Sequence, residues 1–109
     1  MTLAEFERTV FATALHSPLC AVPLLQRLTV TSISLRIPLT NGALVDAFYN
    51  EQTGTTAFAL ILNEKRIFGA DNTGGWHVHP FAAPDEHRPL PQPWSFADFM
   101  AQIEHYYGV

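Results

Sequence analysis

The stretch VTSISLRIPLTNGALVDAFYN, residues 30–50, decides the fold. From Val30 to Leu39 apolar and polar residues alternate, with Ile33, Leu35, Ile37 and Leu39 on one face and Ser32, Ser34 and Arg36 on the other. Successive side chains of a strand leave opposite faces of a sheet, so this alternation predicts a half-buried strand. Asn41-Gly42 is the dipeptide favoured in a two-residue type I′ hairpin, because both residues tolerate positive φ. A second strand, from about Ala43 to Asn50, is expected to pair back antiparallel.

Toward the C-terminus, Glu51-Gln52-Thr53-Gly54 predicts a turn, Thr55 to Leu62 a third strand, Asn63-Glu64-Lys65 another turn and Arg66 to Ala70 a short fourth strand. Asp71-Asn72-Thr73-Gly74-Gly75 is a turn-rich loop, and Trp76 to Phe81 a fifth strand. Pro84, Pro89, Pro91 and Pro93 remove the backbone donors of a regular ladder, so Ala82 to Pro93 is expected as an ordered, extended loop. Ser95 and Asp98 stand at capping-box spacing ahead of a helical stripe of Phe96, Phe99, Met100, Ile103 and Tyr107, which Gly108 can end.

Toward the N-terminus, residues 18–28 are ambiguous between a short helix and an apolar connection. Ahead of them, Thr2 and Glu5 form a second capping box, and Leu3, Phe6, Val10 and Ala14 recur at helical spacing until Ser17-Pro18. In a chain of 109 residues two independent cores would each be too small. The expectation is therefore a single α+β domain over residues 1–109, an antiparallel meander of about five strands flanked by an N-terminal and a C-terminal helix.

Strands two and three are apolar on both faces, with Val45, Ala47 and Tyr49 against Leu44 and Phe48, then Phe58, Leu60 and Leu62 against Ala57, Ala59 and Ile61. A sheet with one wet face does not read this way. Either the two helices cover opposite faces or one face packs on a partner subunit, and a homodimer or similar close assembly is expected. The composition agrees, with 48% hydrophobic and only 15% charged residues.

The net charge is −4 and the six basic residues are scattered, which disfavours broad capture of a phosphate backbone but leaves room for a local RNA or nucleotide site. The lone Cys20 cannot close an intrachain disulfide, and residues 1–7 lack a basic start followed by an apolar run. The longest apolar run, Ala57 to Leu62, is far short of the roughly 20 residues that span a bilayer as a helix. A soluble, cytoplasmic protein with no membrane association is expected.

Chemistry concentrates in Asp71-Asn72-Thr73-Gly74-Gly75-Trp76-His77-Val78-His79, followed by His87-Arg88. On a strand, His77 and His79 share a face roughly 6–7 Å apart. Two such imidazoles can converge on a divalent metal, serve as acid and base around one phosphodiester, or simply be polar positions on a partly exposed strand. Trp76 and Val78 take the other face. Burying them is expected to leave the histidines open in a concave patch walled by the Asp71 loop and the His87-Arg88 loop.

His16 and His105 are expected at the surface, Asp46 as an edge or partner-bonded carboxylate and Cys20 as an inert buried thiol. There is no phosphate-binding Gly-rich loop, Ser nucleophile elbow or clustered Cys site.

Through the strand–Asn41-Gly42–strand opening, Asp71-Asn72, His77, His79 and the helix opening at Ser95, residues 28–107 resemble the TumE-type toxins of prokaryotic toxin–antitoxin pairs. The resemblance implies a small α+β meander, an Asp-Asn turn leading into a histidine-rich stretch and a closing helix. It also implies an antitoxin protein as partner and RNA or a nucleotide as substrate. His77 and His79 are then the expected catalytic proton-transfer groups, with Asp71, Asn72, His87 and Arg88 as substrate-binding residues. No metal and no other cofactor is called for. The alternative is a non-catalytic, dimeric protein-interaction module.

Overall fold

The alternation that begins at Ser32 continues, strand by strand, as far as Leu60. The computed structural model describes residues 1–109. Its elements are α1 (Leu3–His16), β1 (Leu24–Leu28), β2 (Ser32–Pro38), β3 (Leu44–Asn50), β4 (Thr56–Leu62), β5 (Lys65–Asp71), β6 (His77–His79), β7 (Arg88–Pro89) and α2 (Phe96–Tyr107). The seven strands form one antiparallel sheet in chain order, β1 to β7.

The α+β meander with a helix at each end is as expected, but the sheet has seven strands rather than about five. β1 arises in the segment that was ambiguous between helix and connection; all its side chains are exposed, so it shows no alternation to read. β7 is two residues long and includes Pro89, which an edge position tolerates because the missing N–H would face away from the ladder.

β2, β3 and β4 bury Ile33, Leu35, Ile37, Val45, Ala47, Tyr49, Phe58 and Leu60 on one face. Against that face pack Phe6, Val10 and Ala14 of α1 and Phe96, Phe99, Met100 and Ile103 of α2. The Phe58 ring centroid lies 6.4 Å from Phe6, 5.7 Å from Phe96 and 5.3 Å from Phe99, so both helices cover the same face. Each such fully buried ring contributes about 1.5–3 kcal/mol relative to exposure. The helices do not divide between the two faces. Leu44, Phe48, Ala57, Ala59 and Ile61 remain partly exposed on the other side, beside a two-point ion pair of Arg36 and Asp46 at 2.8 and 3.1 Å.

Both capping boxes are present, Thr2 with Glu5 and Ser95 with Asp98, and α2 ends at Gly108 with φ 70°. The hairpin turns differ from expectation in kind. Gly42 has φ +91°, but Asn41 keeps negative φ, because its Oδ1 accepts the Ala43 N–H at 3.1 Å. The Leu39 N–H donates to Ala43 O at 2.8 Å and the Gly42 N–H to Leu39 O at 3.2 Å, making a three-residue loop with a left-handed glycine in third place. The two-residue hairpin with both residues left-handed lies at Asn63-Glu64 instead, with φ 51° and 65° between the paired Leu62 and Lys65. A bulge follows: Leu60 pairs with Phe68 and Ile61 with Arg66, leaving Ile67 extra. No helix is long and apolar enough to cross a membrane.

Candidate functional site

The β5–β6 hairpin pairs Asp71 with His77, Ala70 with Val78 and Gly69 with His79. Directly paired residues share a face, so Asp71, His77, Gly69 and His79 stand together on the side away from the helices. Trp76 and Val78 turn to the core, and the Trp76 ring centroid is 6.5 Å from that of Phe58. Gly69 makes room for what lies above it. A Cβ there would sit 3.1 Å from Phe58 O, 3.2 Å from Arg66 Cδ and 3.5 Å from His79 Cδ2. Without one, the imidazole of His79 and the stem of Arg66 lie against the strand.

The Asp71 carboxylate spans both histidines, with Oδ1 3.2 Å from His77 Nε2 and Oδ2 3.1 Å from His79 Nε2. The opposite ring nitrogens face backbone carbonyls, His77 Nδ1 at 3.0 Å from Gly75 O and His79 Nδ1 at 3.1 Å from Glu86 O. The His87 ring completes the group, its centroid 4.9 Å from His77 and 4.5 Å from His79. One nitrogen from each of the three rings lies within 4.8 Å of the others. Burial works to raise the Asp71 pKa, but the Thr73 N–H bonded to Oδ1 at 3.0 Å, the His79 bond and the charge of the two histidines outweigh it. The carboxyl is held below its ordinary range.

The loop over residues 80–87 folds onto this face. Ala83 N–H donates to Pro80 O and Glu86 N–H to Ala83 O. Phe81 is anchored on the helix side between Phe68 and Tyr106, and the residues after it reach the histidine face, where Arg66 Nη2 donates to Pro84 O at 3.0 Å and Glu86 O meets His79 Nδ1 at 3.1 Å. His79 is left only 3% exposed. The expectation of two histidines open in a concavity is thus corrected, because the two turns bring the loop across β6 rather than alongside it. His77 remains at the rim with 14% of its side chain exposed, and His87 is the exposed member.

Of the expected site residues, Asp71, His77, His79 and His87 are brought together; Asn72 and Arg88 are not. Asn72 accepts the Thr56 N–H at 2.8 Å and donates to Gly54 O at 2.9 Å, so its amide fastens the β3–β4 turn to the end of β5. Arg88 pairs with Val78 and therefore stands on the opposite face from His77, its guanidinium held by Glu86 at 3.0 Å. Arg66 and Gly69 were missed. A glycine inside an apolar strand signals close approach of other groups and could have found the second.

His16 and His105 are exposed, as the sequence suggested; Cys20 is half-buried rather than buried, and that burial pushes its thiol up. A cleft of about 390 Å³ between α1 and α2, with His16 and Glu104 on its walls, and one of about 440 Å³ beside Trp76 and Trp94 both lie apart from the histidines.

Fold and site together define a meander α+β protein with an Asp–His cluster at one end of its sheet. Comparison with protein-family models, with curated proteins and with solved structures finds no match in any of the three.

Proposed function

We propose that this chain is a small toxin-like protein of a toxin–antitoxin pair that acts on RNA or a nucleotide through its histidine cluster. The observation that supports this reading is the convergence of Asp71, His77, His79 and His87 from two strands and a loop onto one patch. Imidazole both takes and gives protons near neutral pH. On an RNA phosphodiester, one ring would take the attacking 2′-hydroxyl proton and another would protonate the leaving oxygen. His77 and the exposed His87 are the rings placed to do so. His79, beneath the loop, is a positioning residue that holds Asp71, which in turn orients His77. Induced expression should arrest growth, and His77→Ala and His87→Ala should each relieve the arrest while changing stability by less than about 0.5–1 kcal/mol. Arrest that persists in both variants would remove the cluster from the activity.

A second observation favours the dimeric interaction module. β1 is an unpaired edge with Leu24, Leu25 and Leu28 at 50%, 52% and 59% exposure, flanked by the exposed Val22 and Val30. Such an edge pairs readily with a copy of itself about a two-fold axis, or with another protein such as an antitoxin. Homodimerisation through β1 is compatible with chemistry at β6. Sedimentation at micromolar concentration should show a dimer, and a clean monomer would leave β1 to a different partner.

A further inference from the structure

We propose that His77, His79 and His87, together with the Asp71 carboxylate, bind one divalent transition-metal ion of the zinc class. The proposal concerns the same patch as the catalytic reading but needs neither RNA nor a nucleotide to be true.

The argument starts from counting protons. A neutral imidazole carries one N–H, yet His77 and His79 each present both ring nitrogens to oxygen atoms that can only accept. If each ring spends its proton on the backbone carbonyl, its Nε2 lone pair faces an Asp71 oxygen lone pair at 3.1–3.2 Å. That contact is repulsive unless something positive lies between. Two extra protons would serve, but they would charge both rings around one carboxylate, with His79 almost fully buried and the His87 ring packed against both. One divalent cation resolves all the contacts together.

The remaining geometry fits that cation. An Nδ1–H bonded to a backbone carbonyl fixes the tautomer in which Nε2 is free to coordinate, the usual arrangement behind a metal-bound histidine. Ligand atoms about 2.0–2.2 Å from zinc stand about 3.4 Å apart at tetrahedral angles. The two Nε2-to-carboxylate separations, 3.2 and 3.1 Å, are close to that edge. His87 supplies the third nitrogen from the solvent side, within 4.8 Å of the other two, on a side chain exposed enough to turn toward them. Imidazole with one carboxylate selects zinc, cobalt, nickel or copper over magnesium and calcium, which prefer oxygen throughout.

The test is titration of the tag-free, chelator-treated full chain with Co²⁺. Saturation at one ion per chain is expected, with the visible absorption of a tetrahedral site, loss of that spectrum on adding Zn²⁺, and a melting temperature raised by roughly 10 °C at a hundredfold excess over Kd. Binding should weaken on acidification, since protons compete with the metal for the ligand nitrogens. Removal of the buried His79 can unfold the chain, so the exposed His87→Ala carries the test. It should weaken Co²⁺ by more than about tenfold, whereas His16→Ala, remote from the cluster, should not change it. Absence of saturable binding, or equal affinity in His77→Ala, His87→Ala and the unmodified chain, overturns the proposal. Growth arrest separates the two readings: arrest with no metal bound sinks the metal site and leaves proton transfer, while metal bound with no arrest upholds the site and sinks the toxin reading.

Discussion

The two edges of the sheet solve the same problem in opposite ways. β1 ends the sheet on one side with an open row of backbone groups and exposed leucines, interrupted only by the register shift between Leu25 and Arg27. At the other side the ladder closes with a three-residue strand, a two-residue strand containing proline and a loop folded over the face. Short strands, proline and a covering loop are the devices that stop an edge from recruiting another chain. The protected edge is where polar groups can be held in fixed mutual geometry. The open edge has no such cluster and is suited to association.

The largest effect expected from breaking this contrast is at Asp71. Asp71→Ala removes the only acidic group between His77 and His79 and leaves a buried ring nitrogen without its partner, so the fold should lose about 2 kcal/mol at neutral pH by urea denaturation. Because the folded-state pKa of Asp71 lies below its unfolded value, its contribution is complete above about pH 4 and lost as pH falls through the lower folded value. Unmodified and Asp71→Ala chains should therefore converge in stability toward strongly acid pH. A gap that stays constant down to pH 2 would mean that the carboxylate is not what holds this edge.

Gly69→Ala should have a smaller effect on the same edge. The added methyl would press a backbone oxygen at 3.1 Å and displace the Arg66 stem and the His79 ring, for a loss of about 1–2 kcal/mol. An unchanged melting temperature would show that the loop rides up freely. Smallest in stability is Leu25→Lys on the open edge, within about 0.5 kcal/mol for the monomer, because the replaced side chain is already half exposed. Its effect should appear in sedimentation as loss of the dimer proposed at β1, with growth arrest retained. If the variant still dimerises, association runs through the partly exposed face around Phe48 instead.

What could be read from the sequence followed the strength of its periodicity. Ile33 to Leu39 showed the core face in strict alternation, and Thr2-x-x-Glu5 and Ser95-x-x-Asp98 marked helix starts that the side-chain bonds reproduce. Leu24 to Leu28 gave no such signal, since an edge strand exposed throughout has no face to alternate. The placement of both helices on one face depends on Phe58 meeting three rings from distant segments, which no local pattern encodes.

At the site, period-two geometry placed His77 and His79 on one face correctly. The pairing of Arg88 with Val78, which turns it to the opposite face, was not legible, because residues 82–93 read as an extended loop. The covering loop was not legible, as it depends on turns at Pro80 and Ala83 and on Phe81 finding Phe68 and Tyr106. Nor was the role of Asn72, whose amide is claimed by Thr56 and Gly54 across the next hairpin.

The strict chain order of the strands also sets a timetable. Each strand needs only its predecessor in order to pair, so during synthesis β1 to β5 can zip as they leave the ribosome. Asp71 emerges at the end of that series with no histidine to meet. His77 and His79 follow it, His87 follows them, and α2, which supplies Phe99 and Ile103 to the core, comes after all of these. A nascent chain halted before α2 would carry all four cluster residues, yet lack the packing that steadies the loop above them. The four cluster residues are therefore synthesised before the helix whose Tyr106 holds Phe81 and steadies the loop over them.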